Sequence, residues 1–185
     1  MASAKEIARI FDYLSWRTEG KPIENTRLNK MLYFAQGHAL SELGHALFAN
    51  QIDAWDHGPV VAVVYTGFQK IREATKKKGI DDIQIDPSEM EIVIDVWNQY
   101  SKYKASELVE MTRQTGTPWS DTYVPGVKNI HIPLDLIEKY FSKPENRLHQ
   151  IIDQIGKLPT IRALPADDYD PDEDSVWEAL LDDTQ

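Results

Sequence analysis

The chain contains no cysteine among its 185 residues. That absence removes disulfides, thiolate metal ligands and thiol nucleophiles together. Long apolar runs are missing too. The longest stretch, residues 60–65, is far short of the roughly 20 residues that cross a bilayer. The N-terminus, MASAKEIARIFDYL, lacks the continuous apolar segment of a secretory signal. The expectation is a cytoplasmic protein with no membrane partner.

Basic residues are absent from the last part of the chain. Residues 163–185 hold nine acids and no base, whereas residues 1–162 hold all 20 Lys and Arg against 21 Asp and Glu. The net charge of −10 is therefore a property of the tail, and the body is nearly neutral. Direct nucleic-acid binding is not expected, because affinity for phosphate needs clustered cations. The basic run Lys76–Lys78 reads as a solvated helix end that complements the dipole.

Catalytic signatures are also lacking. No nucleophile elbow, phosphate loop or HExxH spacing occurs, so an enzyme is disfavoured and no cofactor is expected. A metal site would require Asp53, Asp56 and His57 to converge with His38 or His45. Asp56 instead suits an N-cap, and no metal is expected.

What is present is helical periodicity. A chain of this length can bury roughly 70% of its unfolded surface around one core. Ser3 and Glu6 form a capping box, and Ile7, Ile10, Phe11 and Leu14 recur at helical spacing to about Thr18. Asn25 or Thr26 can cap a second helix. Its wide apolar face, from Leu28 to Leu40, marks it as central, with Gly44 at its end. Two short apolar runs around Asn50-Gln51 predict a β-hairpin over residues 46–55, and Gly58-Pro59 reads as the start of a third helix. Asp86-Pro87 opens a fourth, and Ser106 caps a fifth. Residues 116–129 read as a loop around Trp119. Two further helices are predicted over 133–141 and 144–155. The fold class is thus mainly α: a compact bundle of about six to seven helices with one small hairpin, spanning residues 1–162. Residues 163–185 read as an acidic, disordered tail containing a short amphipathic segment.

Five body residues stand out as candidates for partner binding. Lys30 interrupts an apolar helix, so it either snorkels to the surface, pairs with a buried carboxylate, or meets an acidic group on a partner. Trp55 and Trp119 are core residues by habit and interface anchors if exposed. His57 and Gly58 mark a turn whose open amides could receive a carboxylate. In the tail, Trp177, Leu180 and Leu181 would share one helical face and could dock in a basic-rimmed groove.

The series Leu28-Asn-Lys-Met-Leu-Tyr-Phe-Ala-Gln-Gly37, Ala46-Leu-Phe48, Ala54-Trp55 and Gly58-Pro-Val60 resembles the Panacea domain, also called the SocA-like or phage-associated GepA-type domain. The likeness continues through Glu107–Thr112, Pro118-Trp119 and the 132–141 helix, covering roughly residues 5–142. The family pattern often has histidine where this chain has Arg113, so no imidazole role is carried to that position. The resemblance implies an antitoxin that neutralises a protein toxin by direct binding, the toxin being encoded by an adjacent gene. It also implies an alternative, an adaptor that delivers a client to a cytoplasmic protease. A phage-associated enzyme of unknown chemistry is the remaining alternative.

Overall fold

The computed structural model describes residues 2–127 and 129–148. Among them are eight α-helical segments and one two-stranded antiparallel sheet. The chain is mainly helical, as its periodicity implies. The predicted helix over 144–155 is only a 3-10 turn, Pro144–Asn146, as far as residue 148. Its remainder and the tail lie outside the described residues.

Helix α1 (Ala4–Glu19) starts from the predicted capping box, in which Ser3 Oγ accepts from Glu6 N and Glu6 Oε2 accepts from Ser3 N at 2.7 Å. Its apolar face packs on α2 (Asn25–Leu43), α4 (Phe68–Lys78) and α5 (Pro87–Tyr100). Arg9 ties α1 to the end of α4 by donating to Gly79 O and to Asp82, both at 2.6 Å. The Lys76–Lys78 run does sit at the C-terminus of α4, where cations complement the dipole.

Helix α2 is the axis of the fold. Every residue from Arg27 to Leu40 is buried, and α1, α5, α6 (Ala105–Arg113) and α8 (Leu134–Phe141) all pack against it. Phe141 comes so close that a Cβ on Gly37 would lie 2.2 Å from its ring. Around that contact Tyr33, Phe34, His38 and Tyr100 form an aromatic cluster, with Phe34 and Tyr100 stacked at 4.0 Å.

The hairpin is real but displaced from its predicted position. Its strands are β1 (Asp53–Trp55) and β2 (Gly58–Val60), joined by Asp56-His57 rather than by Asn50-Gln51. Gly58-Pro59 therefore lies in a strand and opens no helix. The predicted third helix is two pieces, α3 (Ala62–Tyr65) and α4. Residues 130–132 line the other edge of β1: Ala54 N donates to Ile130 O and Ile132 N to Ile52 O, both at 2.8 Å. The loop around Trp119 contains a short helix, α7 (Pro118–Thr122), capped by Thr117. Helix α6 starts at Ala105, one residue before the predicted cap Ser106.

Candidate functional site

The first half of α2, the hairpin, the end of α6 and α7 meet at one corner. The buried polar side chains of α2 hold this corner. Asn29 Oδ1 accepts from Val61 N at 3.0 Å. Gln36 Oε1 accepts from Leu47 N and Phe48 N at 3.0 and 3.1 Å, and its amide donates to Phe48 O. These bonds satisfy the main chain of an irregular segment that has no ladder of its own.

Lys30 neither snorkels nor finds a carboxylate. It is 1% exposed, and its Nζ donates to Pro59 O at 2.9 Å. Burial, with the Arg113 charge adding to it, pushes the Lys30 pKa down to about 7. Gly58 lies directly over it, with φ +94. A Cβ at Gly58 would stand 2.7 Å from Thr112 Oγ1 and 3.0 Å from Lys30 Cε. Glycine is thus required twice, by backbone conformation and by space.

A second line of contacts runs along the outside of the corner. The Arg113 guanidinium lies 5.0 Å over the Trp119 ring, and Trp119 stacks on Tyr123 at 4.5 Å. Tyr123 Oη donates to Asp56 Oδ1 at 2.8 Å in the hairpin turn, which raises the Tyr123 pKa. Trp119 Nε1 donates to Trp55 O at 2.8 Å. Trp119 is buried, Trp55 half-buried against Tyr65, and His57 exposed at the tip. The chain following Tyr123 exposes Val124 and Val127, at 47% and 49%.

The structure therefore brings four of the predicted body residues into mutual support: Lys30 and Gly58 by direct packing, Trp55 and Trp119 by a hydrogen bond. His57 adjoins them in sequence and makes no hydrogen bond or ring contact with them. Trp177, Leu180 and Leu181 lie outside the described residues. Sequence reasoning missed Asn29, Gln36, Thr112 and Tyr123. Their place among the buried apolar residues of α2 was the available signal for the first pair; Thr112 and Tyr123 carry no signal short of tertiary structure.

The imagined metal ligands do not converge. Asp53 accepts from His131 Nδ1 at 2.5 Å, His38 shares a 3.2 Å hydrogen bond with Tyr100 Oη, and His45 sits 3.9 Å from Glu89. Among the described residues no three His, Asp or Glu groups are placed to hold a metal, and no helix is long and apolar enough to cross a membrane.

Most of the residues that build this corner fall in a segment that matches a known family; Tyr123, Val124 and Val127 lie beyond its end. The family model for antitoxin SocA-like proteins, the Panacea domain, matches residues 28–120. The chain belongs to this family. The match begins two residues before Lys30 and ends one after Trp119, so Lys30, Trp55, His57, Gly58, Thr112, Arg113 and Trp119 all fall within it. The chain is also 34% identical over 110 residues to antitoxin SocA of Caulobacter vibrioides (strain NA1000 / CB15N). That similarity spans 53% of this chain and 58% of the relative, little more than half the length of each. No solved structure matches the chain. The Panacea region thus omits α1 and α8, which pack on α2 from outside the matched span.

Proposed function

We propose that the chain is an antitoxin that neutralises a protein toxin by binding it at the hairpin corner, without chemistry of its own. The observation that carries this reading is the coincidence of the family span with the corner. Three separate stretches, around Lys30, residues 53–60 and residues 112–119, are joined there by side-chain contacts. Lys30 and Gly58 act from within, fixing the path of β2. The partner surface is the half-buried Trp55, exposed His57 and Arg113, and the edge of Trp119, with Val124 and Val127 beside them. An exposed apolar rim next to a cation–aromatic stack is the composition of a binding hot spot. Trp177, Leu180 and Leu181 are a second contact in this reading, outside the described residues.

The test is co-expression with the product of the adjacent gene, scored by growth. The unaltered chain restores growth. Arg113→Glu combined with Val124→Asp weakens the complex by roughly 10- to 100-fold while circular dichroism and melting stay unchanged. A neighbour that is harmless alone, or rescue that survives these surface changes at limiting expression, removes the proposal.

A further inference from the structure

At the α5–α6 connection lies a cleft of about 450 Å³ between the α1–α2 connection and residues 101–106. Its charged lining is Lys21, Arg27, Lys102 and Lys104 against Glu19 and Glu24. Glu19 is already consumed: Arg27 binds it through two hydrogen bonds of 2.8 and 2.6 Å and also donates to Ser101 O. Lys21, Lys102 and Lys104 are exposed, and among the described residues none has a carboxylate at ion-pair distance. The cleft is thus left with three ammonium groups that have no carboxylate partner among the described residues, Lys102 resting over the Tyr103 ring at 5.2 Å, and one opposing acid in its lining, Glu24. By contrast, in the Lys76–Lys78 run, Lys78 pairs with Asp82 at 3.6 Å and Lys76 is also engaged. The positive charge of the cleft is assembled from two distant segments and is invisible as a run in the sequence.

The chain supplies its own complement. Residues 167–174 hold six acids with no base among them. The described chain ends close by: Arg147 shares the neighbouring cavity with Gln99 and Tyr100, and the residues that follow Tyr100 line the cleft. From residue 148 to residue 167 the chain can extend roughly 60 Å, at about 3.3 Å per residue, which exceeds any distance it must cover. A tether of that kind gives an effective concentration on the order of millimolar, so an ordinary charge match suffices to favour contact within one molecule.

We infer that residues 167–174 dock in this cleft in cis, their carboxylates bridging Lys21, Lys102 and Lys104. The contact does not depend on the antitoxin reading, since it involves none of the hairpin-corner residues. The docked segment would neutralise this basic cleft and hold the following residues, 175–185, at the α5–α6 end.

Zero-length carbodiimide cross-linking of the full chain at low micromolar concentration, mapped by mass spectrometry, tests it. The expected result is linkage of Lys21, Lys102 and Lys104 to residues 167–174 within the monomer, and loss of linkage at high salt. With Lys104 kept as the reporter, Lys21→Gln combined with Lys102→Gln lowers its linkage by about threefold or more. Links found only between two copies, links spread equally over Lys70 and Lys77, unchanged Lys104 linkage in the double variant, or no links from the acidic segment would each overturn the inference.

Discussion

On the side of α2 that faces residues 47–61, Asn29, Lys30 and Gln36 are buried, and every one of them bonds to main chain. On the side that faces α5 and α8, Tyr33 and His38 are equally buried, yet Tyr33 Oη and His38 Nδ1 have no partner among the described residues. The same helix therefore uses polar groups in two ways. Where the neighbour is an irregular chain, unpaired amides and carbonyls must be answered, and side chains answer them. Where the neighbour is another helix, whose main chain is self-satisfied, shape decides and a polar atom is a tolerated residue of an aromatic ring.

Replacing Gln36 with Leu should break the comparison most severely. It strands the amides of Leu47 and Phe48 and the carbonyl of Phe48 in the interior, a loss of about 3 to 6 kcal/mol in urea unfolding. A loss below about 1 kcal/mol would mean that residues 47–48 find other partners.

Lys30 gives the next effect, and its signature is pH. Its folded pKa of about 7 lies below the ordinary 10.5, so the unfolded chain binds its proton more tightly. Below pH 7 both states are protonated and the destabilisation is complete; as pH rises from 7 to 10.5 it is relieved. The relief is on the order of 5 kcal/mol. Stability measured across that window should rise in the unaltered chain and stay flat in Lys30→Met. His38, whose pKa is pushed down to about 3 by burial, acts in a separate acid window, with stability falling as pH drops below 6.5.

On the aromatic side, Gly37→Ala drives a methyl into the Phe141 ring and should cost about 1 to 3 kcal/mol. A double-mutant cycle with Phe141→Leu, which frees space at that contact, sharpens the assignment: the second change should recover part of the loss. The smallest effect belongs to Tyr33→Phe. Removing a hydroxyl with no partner should change stability by less than about 0.5 kcal/mol or raise it slightly, by thermal or urea unfolding.

Part of the local chemistry was legible, although the expected caps Asn25 or Thr26 and Ser106 lie inside α2 and α6, whose N-caps are Glu24 and Lys104. The Ser3–Glu6 box, the Asp86-Pro87 start and the breadth of the α2 face all follow from spacing. The hairpin was legible as an element and not as a position. Asn50-Gln51 and Gly58-Pro59 carry the usual turn and helix-start chemistry, but pairing is set from outside, by 130–132 on one edge and by Lys30 on the carbonyl of Pro59. Proline costs nothing there, because the amide that it lacks would face no strand beyond β2. The fate of Lys30 was illegible for the same reason. Its acceptor among the described residues is a main-chain oxygen 29 residues away, and no sequence pattern names a carbonyl. The basic cleft escaped too, because Lys21 and Lys102 are joined only by the packing of α1 and α2 on α5.

The strand-like segment 130–132 has a consequence in time. It closes β1 with residues that follow the end of α2 by about 90 positions, which takes roughly 4 to 18 s to synthesise at 5–20 residues per second. Until then Asp53 and Ala54 have an open edge, and the hairpin is unfinished. A newborn chain thus completes its hairpin only late in synthesis, in an order fixed by translation.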